Sequence, residues 1–139
     1  MINAILIDYE FNALTNLKWE IELFCPEVNI CDMFSNPLES ISAINKLKPD
    51  CVFLDIETPK EELLPFLNQL NFKGFDLVIT TTYTHYASNI FNKNSLEHIL
   101  KPIDSDEFIK VIGKIKKHKN DKNLGHTLQQ TIIHLLQQK

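Results

Sequence analysis

Polar residues of types that bind metal or phosphate follow the short apolar runs of this sequence. Asp8 ends the first run, with Glu10 two residues further on, and Asp55 ends another. Threonines 80–82 and then Lys101 follow two later runs. Carboxylates that converge repel one another and raise one another's pKa unless a cation compensates. Carboxylate oxygens suit a hard divalent cation such as Mg²⁺, and Lys101 would add a second positive charge.

The elements that must position these residues alternate between two patterns. Short runs rich in Ile, Val, Leu and Phe are followed by longer segments with apolar residues every three or four positions, which predicts strand–helix units. Five such units in a row predict one α/β domain with a doubly wound, five-stranded parallel sheet and helices on both faces. Ligands of such sheets bind beyond the carboxyl ends of the strands. The predicted strands are 4–7, 28–31, 51–54, 77–79 and 96–100, and the predicted helices are 11–24, about 37–47, about 63–70, 85–91 and 105–115.

Composition narrows the class of protein. The 139 residues suit one domain, and the 44% hydrophobic content allows a packed core. A net charge of −4 gives no overall attraction to nucleic acid or to an anionic membrane. Cys25, Cys31 and Cys51 form no CxxC pair, which favours free thiols in a reducing compartment. No signal peptide pattern and no apolar stretch of about 20 residues is found, so we expect a cytoplasmic protein without a membrane partner.

The last part of the sequence differs from the rest. We expect the domain to span residues 1–118 and residues 119–139 to form a linker and an amphipathic helix. The polar run 116–123 reads as the linker, and its lysines indicate a solvated helix face rather than a DNA-binding patch. The apolar residues of the terminal helix recur at helical spacing, namely Leu128, Ile132, Leu135 and Leu136.

Three segments together resemble the receiver domain of bacterial two-component response regulators over about residues 2–118. Residues 53–59, Phe-Leu-Asp-Ile-Glu-Thr-Pro, resemble the phosphoacceptor segment, with a proline four residues after the aspartate. Residues 100–103, Leu-Lys-Pro-Ile, resemble the lysine–proline segment. Residues 80–87 and the stretch up to 104 are most similar to the subgroup that carries a LytTR-type DNA-binding domain. The resemblance implies a flavodoxin-like receiver fold.

The resemblance also implies a role for each matching residue. Asp55 would accept a phosphoryl group from the phosphohistidine of a sensor histidine kinase. Mg²⁺ would be bound by Asp55, Asp8 and the backbone carbonyl of Glu57, and no other cofactor is expected. Thr81 would donate a hydrogen bond to the phosphoryl group, and Lys101 would pair with it. The negative charge added at Asp55 would then change the conformation of the loop at Thr81.

The sequence departs from the family pattern at several positions. Tyr9 stands where the family has a second acid that binds the metal, and a phenol with a pKa near 10 is a poor Mg²⁺ ligand, so we expect a weakened site. Glu10 is a further candidate ligand, although its place also suits a first-turn helix residue. The loop after Pro59 lacks the usual glycines, and Lys60 is an alternative cation there. His98 replaces the aromatic switch residue of the fifth strand, and the alternative is a half-buried structural histidine.

Our first hypothesis is a phosphorylated signalling switch rather than an enzyme. Its partners would be a sensor histidine kinase and, only through an output domain absent from this chain, DNA. A homodimer would form through the domain face or the terminal helix. The second hypothesis is an atypical receiver-like interaction module that Mg²⁺-dependent phosphorylation does not regulate. A third is a flavodoxin-like cofactor binder, but the phosphate-binding loop expected after the first strand is absent.

Overall fold

A computed structural model describes residues 1–55, 58, 60–72, 74–81, 97–100 and 103–120. In these residues one sheet contains five parallel strands in the order β2-β1-β3-β4-β5. Helices cover both faces, which confirms the doubly wound α/β prediction. The elements in chain order are β1 (Ile2–Ile7), α1 (Phe11–Phe24), β2 (Val28–Phe34), α2 (Pro37–Leu47), β3 (Cys51–Asp55), α3 (Lys60–Gln69), β4 (Asp76–Thr81), β5 (Glu97–Leu100) and α4 (Ser105–Asn120). The predicted helix 85–91 lies outside the described residues.

The sheet divides the core into two layers because successive strand residues point to opposite faces. One layer lies under α2 and α3, with Val52, Leu54 and Phe66 buried in it. The other lies under α1 and α4, where Phe53 packs on Phe108 with ring centroids 6.0 Å apart. β3 contributes to both layers, so all its residues are buried, as its continuous apolar run predicts.

Helix starts follow local capping chemistry. Asn36 caps α2, since its side-chain oxygen accepts a hydrogen bond from the Leu38 N–H at 2.8 Å, with Pro37 in the first turn. Asp104 caps α4 by accepting from the Asp106 N–H at 3.2 Å. The sequence predicts Asn36 as the first cap and either Asp104 or Ser105 as the second. The structure agrees with Asn36 and selects Asp104.

Three details of the helices differ from the prediction. α3 begins at Lys60, so Pro65 lies inside the helix rather than in its first turn. Leu64 and Ile109 were expected to face the core, but they are 45% and 52% exposed. The phase of both helices is as predicted, since Leu63 and Leu67 in α3 and Phe108 and Ile112 in α4 are buried. Leu64 and Ile109 each follow a buried residue directly, and one residue step turns a side chain about 100° around the helix, away from the core.

The carboxyl end of α4 is attached to the amino-terminal edge of the sheet. His118 Nδ1 lies 2.9 Å from Asp76 Oδ2, and Lys119 Nζ lies 3.2 Å from Asp50 Oδ2. Lys119 also donates to the Met1 carbonyl at 2.6 Å. Burial raises the pKa of Asp76, and His118 partly opposes that rise.

Residues 116–120, which were predicted to belong to the polar linker, are helical, since α4 continues to Asn120. The run is polar because one side of this helix meets charged groups and the other meets solvent, not because the helix has ended. The boundary between domain and linker near residue 118 stays a prediction.

Candidate functional site

Two acidic side chains lie side by side at the carboxyl edge of the sheet. β1 and β3 are neighbours, and Ile7 pairs with Leu54. The next residues along these strands are Asp8 and Asp55, which are therefore adjacent across the two strands. Asp8 is 3% exposed and Asp55 is 6% exposed. The sequence prediction that these two carboxylates converge agrees with their positions.

Asp8 is positioned by the main chain on both sides. Its N–H donates to the Phe34 carbonyl at 3.1 Å, which ties the end of β1 to the end of β2. Its Oδ1 accepts from the Glu10 N–H at 2.9 Å, a bond that turns the chain into α1. Glu10 itself is exposed and is the N-cap residue of α1. This location favours the helix-start interpretation of Glu10 over the metal-ligand interpretation.

The turn after Asp55 is held by Thr58, a residue that the sequence analysis did not single out. The Thr58 N–H and the Thr58 hydroxyl both donate to the Asp55 carbonyl, at 3.1 and 2.7 Å. Thr58 is 1% exposed, so both bonds are shielded from water. The signal available in the sequence was a threonine three residues after a strand-end aspartate, a spacing that suits a side-chain-stabilised turn. Glu57, whose backbone carbonyl is a predicted Mg²⁺ ligand, is outside the described residues.

The other predicted residues belong to the next two strands. Asp55 pairs with Thr80, which is 2% exposed, so Thr81 lies one residue beyond Asp55 toward the carboxyl edge. Thr81 pairs in turn with Leu100, the residue directly before Lys101. Lys101 is outside the described residues, as are Thr82 and Pro59. The backbone of His98 lies in β5, paired with Ile79, and its proposed switch role stays a prediction.

The side chains of Asp8 and Asp55 provide carboxylate oxygens, the type of ligand that Mg²⁺ prefers. Within the described parts of the chain, no group of three or more His, Cys, Asp or Glu residues is arranged to hold a metal. However, Mg²⁺ typically keeps several waters and needs only one or two protein carboxylates. The buried pair of Asp8 and Asp55 fits that requirement. Tyr9, 39% exposed between Asp8 and Glu10, adds no carboxylate to it.

The comparison with known proteins found several response regulators, although no family model matches the chain. A Vibrio cholerae protein named "Uncharacterized response regulatory protein" is 33% identical over 121 residues, which are 86% of this chain and 51% of that protein. The transcriptional regulatory protein BtsR of Escherichia coli K12 is 30% identical over 129 residues, covering 90% of this chain and 52% of BtsR. The chain thus spans about half the length of the curated relatives it matches.

Solved structures show the same fold. The isolated REC domain of RcsB from Salmonella enterica serovar Typhimurium, determined in the presence of the phosphomimetic BeF3⁻, superposes with a TM-score of 0.67 at 18% identity. The match covers 84% of this chain and 88% of that domain. In the part of the chain that the structure describes, no helix is long and apolar enough to cross a membrane.

Proposed function

We propose that this chain, which is a response-regulator receiver domain, accepts a phosphoryl group on Asp55 from the phosphohistidine of a sensor histidine kinase. The observation that carries the proposal is the buried pair of Asp8 and Asp55 at the carboxyl edge of a receiver-type sheet. Asp55 is the acceptor of this pair because it precedes the turn held by Thr58 and lies beside the strand that ends at Thr81.

The transfer is a displacement at phosphorus. A carboxylate oxygen of Asp55 forms the new P–O bond as the P–N bond to the kinase histidine breaks, and the product is an acyl phosphate. Mg²⁺, when bound, would supply positive charge against the phosphoryl oxygens. Asp8, Asp55 and the Glu57 carbonyl would hold it, while Thr81 and Lys101 would contact the phosphoryl oxygens.

Thr58 contributes to this chemistry as a positioning residue. Its two hydrogen bonds to the Asp55 carbonyl hold the chain directly after the acceptor residue. A fixed turn after Asp55 would reduce the ordering that is required when the ion binds.

Replacement of the second family acid by Tyr9 leaves Asp8 as the only carboxylate at the end of β1 that points into the site. We infer that Mg²⁺ binds more weakly here than in a receiver with two acids. The domain would then be phosphorylated only at higher Mg²⁺ concentration.

The relay step requires a further domain. The match to this chain covers about half of each curated relative, and BtsR is named a transcriptional regulatory protein. We propose that phosphorylation is relayed to a DNA-binding output domain, that the full protein acts in the cytoplasm, and that it is a regulator rather than an enzyme. Residues 80–87 and 101–104 support assignment of that output domain to the LytTR type.

The proposal is tested by incubating the chain with Mg²⁺ and acetyl phosphate and measuring its intact mass. We expect a gain of one phosphoryl group that disappears in Asp55→Asn. Glu22→Gln is the matched control, because Glu22 is an exposed acid in the last turn of α1, at the opposite edge of the sheet from Asp8 and Asp55, and this variant should still gain the mass. No gain at any Mg²⁺ concentration would favour the interaction-module hypothesis.

A further inference from the structure

Helix α1 carries apolar side chains on the face that points away from the sheet. Phe11, Trp19 and Leu23 are 76%, 66% and 73% exposed. Leu14, Leu17 and Ile21 already bury the inward face of this helix, so the outward residues are not needed for the core. Together they present on the order of 400 Å² of apolar surface, a size that marks interaction sites on soluble proteins.

The exposed residues form one stripe along the length of α1. Trp19 and Leu23 are four residues apart, and Phe11 lies eight residues before Trp19, so all three fall on the outward half of the helix. We call Phe11, Trp19 and Leu23 the α1 stripe. No element within the described residues covers it.

The last turns of α4 lie beside the segment that follows α1. Lys116 Nζ lies 3.3 Å from the carboxylate of Glu27, which is only three residues past the end of α1. Lys119 is fixed one turn further on through Asp50 and the Met1 carbonyl. The end of α4 is thus tied to the segment that directly follows α1, and the polar run 121–123 has enough residues for a connection between two antiparallel helices.

The sequence of residues 124–136 matches the α1 stripe in length and in spacing. Both segments span twelve residue steps, about 18 Å as a helix at 1.5 Å per residue. Leu124, Leu128 and Ile132 recur every four residues, with Leu135 and Leu136 on the same side. An antiparallel arrangement would place Leu124 near Leu23 and Leu136 near Phe11.

We infer that residues 124–136 of this chain form a helix that packs antiparallel on the α1 stripe of the same molecule. This contact joins the chain leaving the receiver domain to α1, the helix that begins directly after the Asp8 turn. It goes beyond phosphorylation and does not depend on it.

Trp19 provides a direct readout because it is the only tryptophan in the chain. We would measure acrylamide quenching of Trp19 fluorescence in the full chain and in the double variant Leu128→Asp with Ile132→Asp. The quenching constant should rise about twofold in the variant, as expected when an interface side chain returns to a mostly exposed state. Gln130→Asp is the matched control, because Gln130 lies on the opposite side of the predicted helix, and it should leave quenching unchanged.

Two results would overturn the inference. Equal quenching in the full chain and in the double variant would mean that the segment does not cover the α1 stripe. Shielding of Trp19 that disappears on dilution would mean that a second copy of the chain covers the stripe instead. Circular dichroism of each variant checks that the domain remains folded, since the substituted residues lie outside its core.

Discussion

Replacement of Thr58 by valine tests whether the turn after Asp55 is held by the buried hydroxyl. Valine has nearly the same shape, so the change removes the 2.7 Å bond to the Asp55 carbonyl without opening a large cavity. The carbonyl keeps the bond from the residue 58 N–H. The expected loss is therefore that of one net hydrogen bond, about 1 kcal/mol of unfolding free energy.

The assay is urea unfolding at fixed pH without Mg²⁺. With an m-value of about 2 kcal/mol/M, a loss of ~1 kcal/mol lowers the midpoint by roughly 0.5 M at unchanged slope. Thr58→Ser is the matched control, because it keeps the hydroxyl and removes only a buried methyl group, which costs about 1 kcal/mol as well.

The rate of phosphorylation should distinguish Thr58→Val from Thr58→Ser, although the two variants are expected to have similar unfolding free energies. Thr58→Val should react more slowly with acetyl phosphate at limiting Mg²⁺, since the Asp55 carbonyl is then held by one hydrogen bond instead of two. Thr58→Ser should react like the wild type. An unchanged urea midpoint in Thr58→Val, or equal slowing in both variants, would refute the reasoning.

Three further predictions follow from the structure. His118→Ala should cost about 1–2 kcal/mol in urea unfolding, since Asp76 loses its partner. Burial raises the folded pKa of Asp76, so its contribution to stability falls as pH rises above about 3.8, and in His118→Ala the fall should extend to higher pH. Cys51 is buried with a raised pKa and should resist alkylation at pH 8 until the domain unfolds, as followed by intact mass. Tyr9→Asp should tighten Mg²⁺ binding about tenfold in calorimetric titration and lower stability without Mg²⁺, because a third carboxylate joins Asp8 and Asp55.

Each of these has a control or a contrary outcome. Lys117→Ala removes an exposed α4 side chain and should leave the pH profile of stability unchanged. If Lys117→Ala and His118→Ala changed the profile equally, the effect could not be assigned to the pairing of His118 with Asp76. Rapid alkylation of Cys51 in the folded protein would contradict its burial. Unchanged Mg²⁺ affinity in Tyr9→Asp would show that position 9 does not limit the site.

The central elements of the fold could be predicted from the sequence because their patterns are unmixed. α1 begins and ends at the predicted residues, since its inward positions recur regularly and Pro26 follows it. β2 is three residues longer than predicted, because this edge strand has polar Asp32 on its open side and a register shift against β1 between Ala4 and Ile5. Alternation is hard to recognise in such a strand.

Residues of the candidate site could be predicted from the sequence only where a polar side chain directly follows an apolar run that forms a strand. Asp8 and Asp55 follow continuous apolar runs, so the topology alone brings them together. Thr58 was missed because it acts on a main-chain carbonyl, and a hydrogen bond of that kind leaves no charge or periodic pattern in the sequence. The half-buried pairing of His118 with Asp76 depends on where α4 meets the sheet edge, which no local pattern specifies.

The most direct test of the account is to locate the phosphoryl group. The full chain would be treated with acetyl phosphate and Mg²⁺, reduced with borohydride, which converts an acyl phosphate of aspartate to homoserine, and mapped by peptide mass spectrometry. The account predicts homoserine at position 55 only, with none when Mg²⁺ is chelated. Homoserine at another acid, or none at position 55 with saturating Mg²⁺, would contradict it.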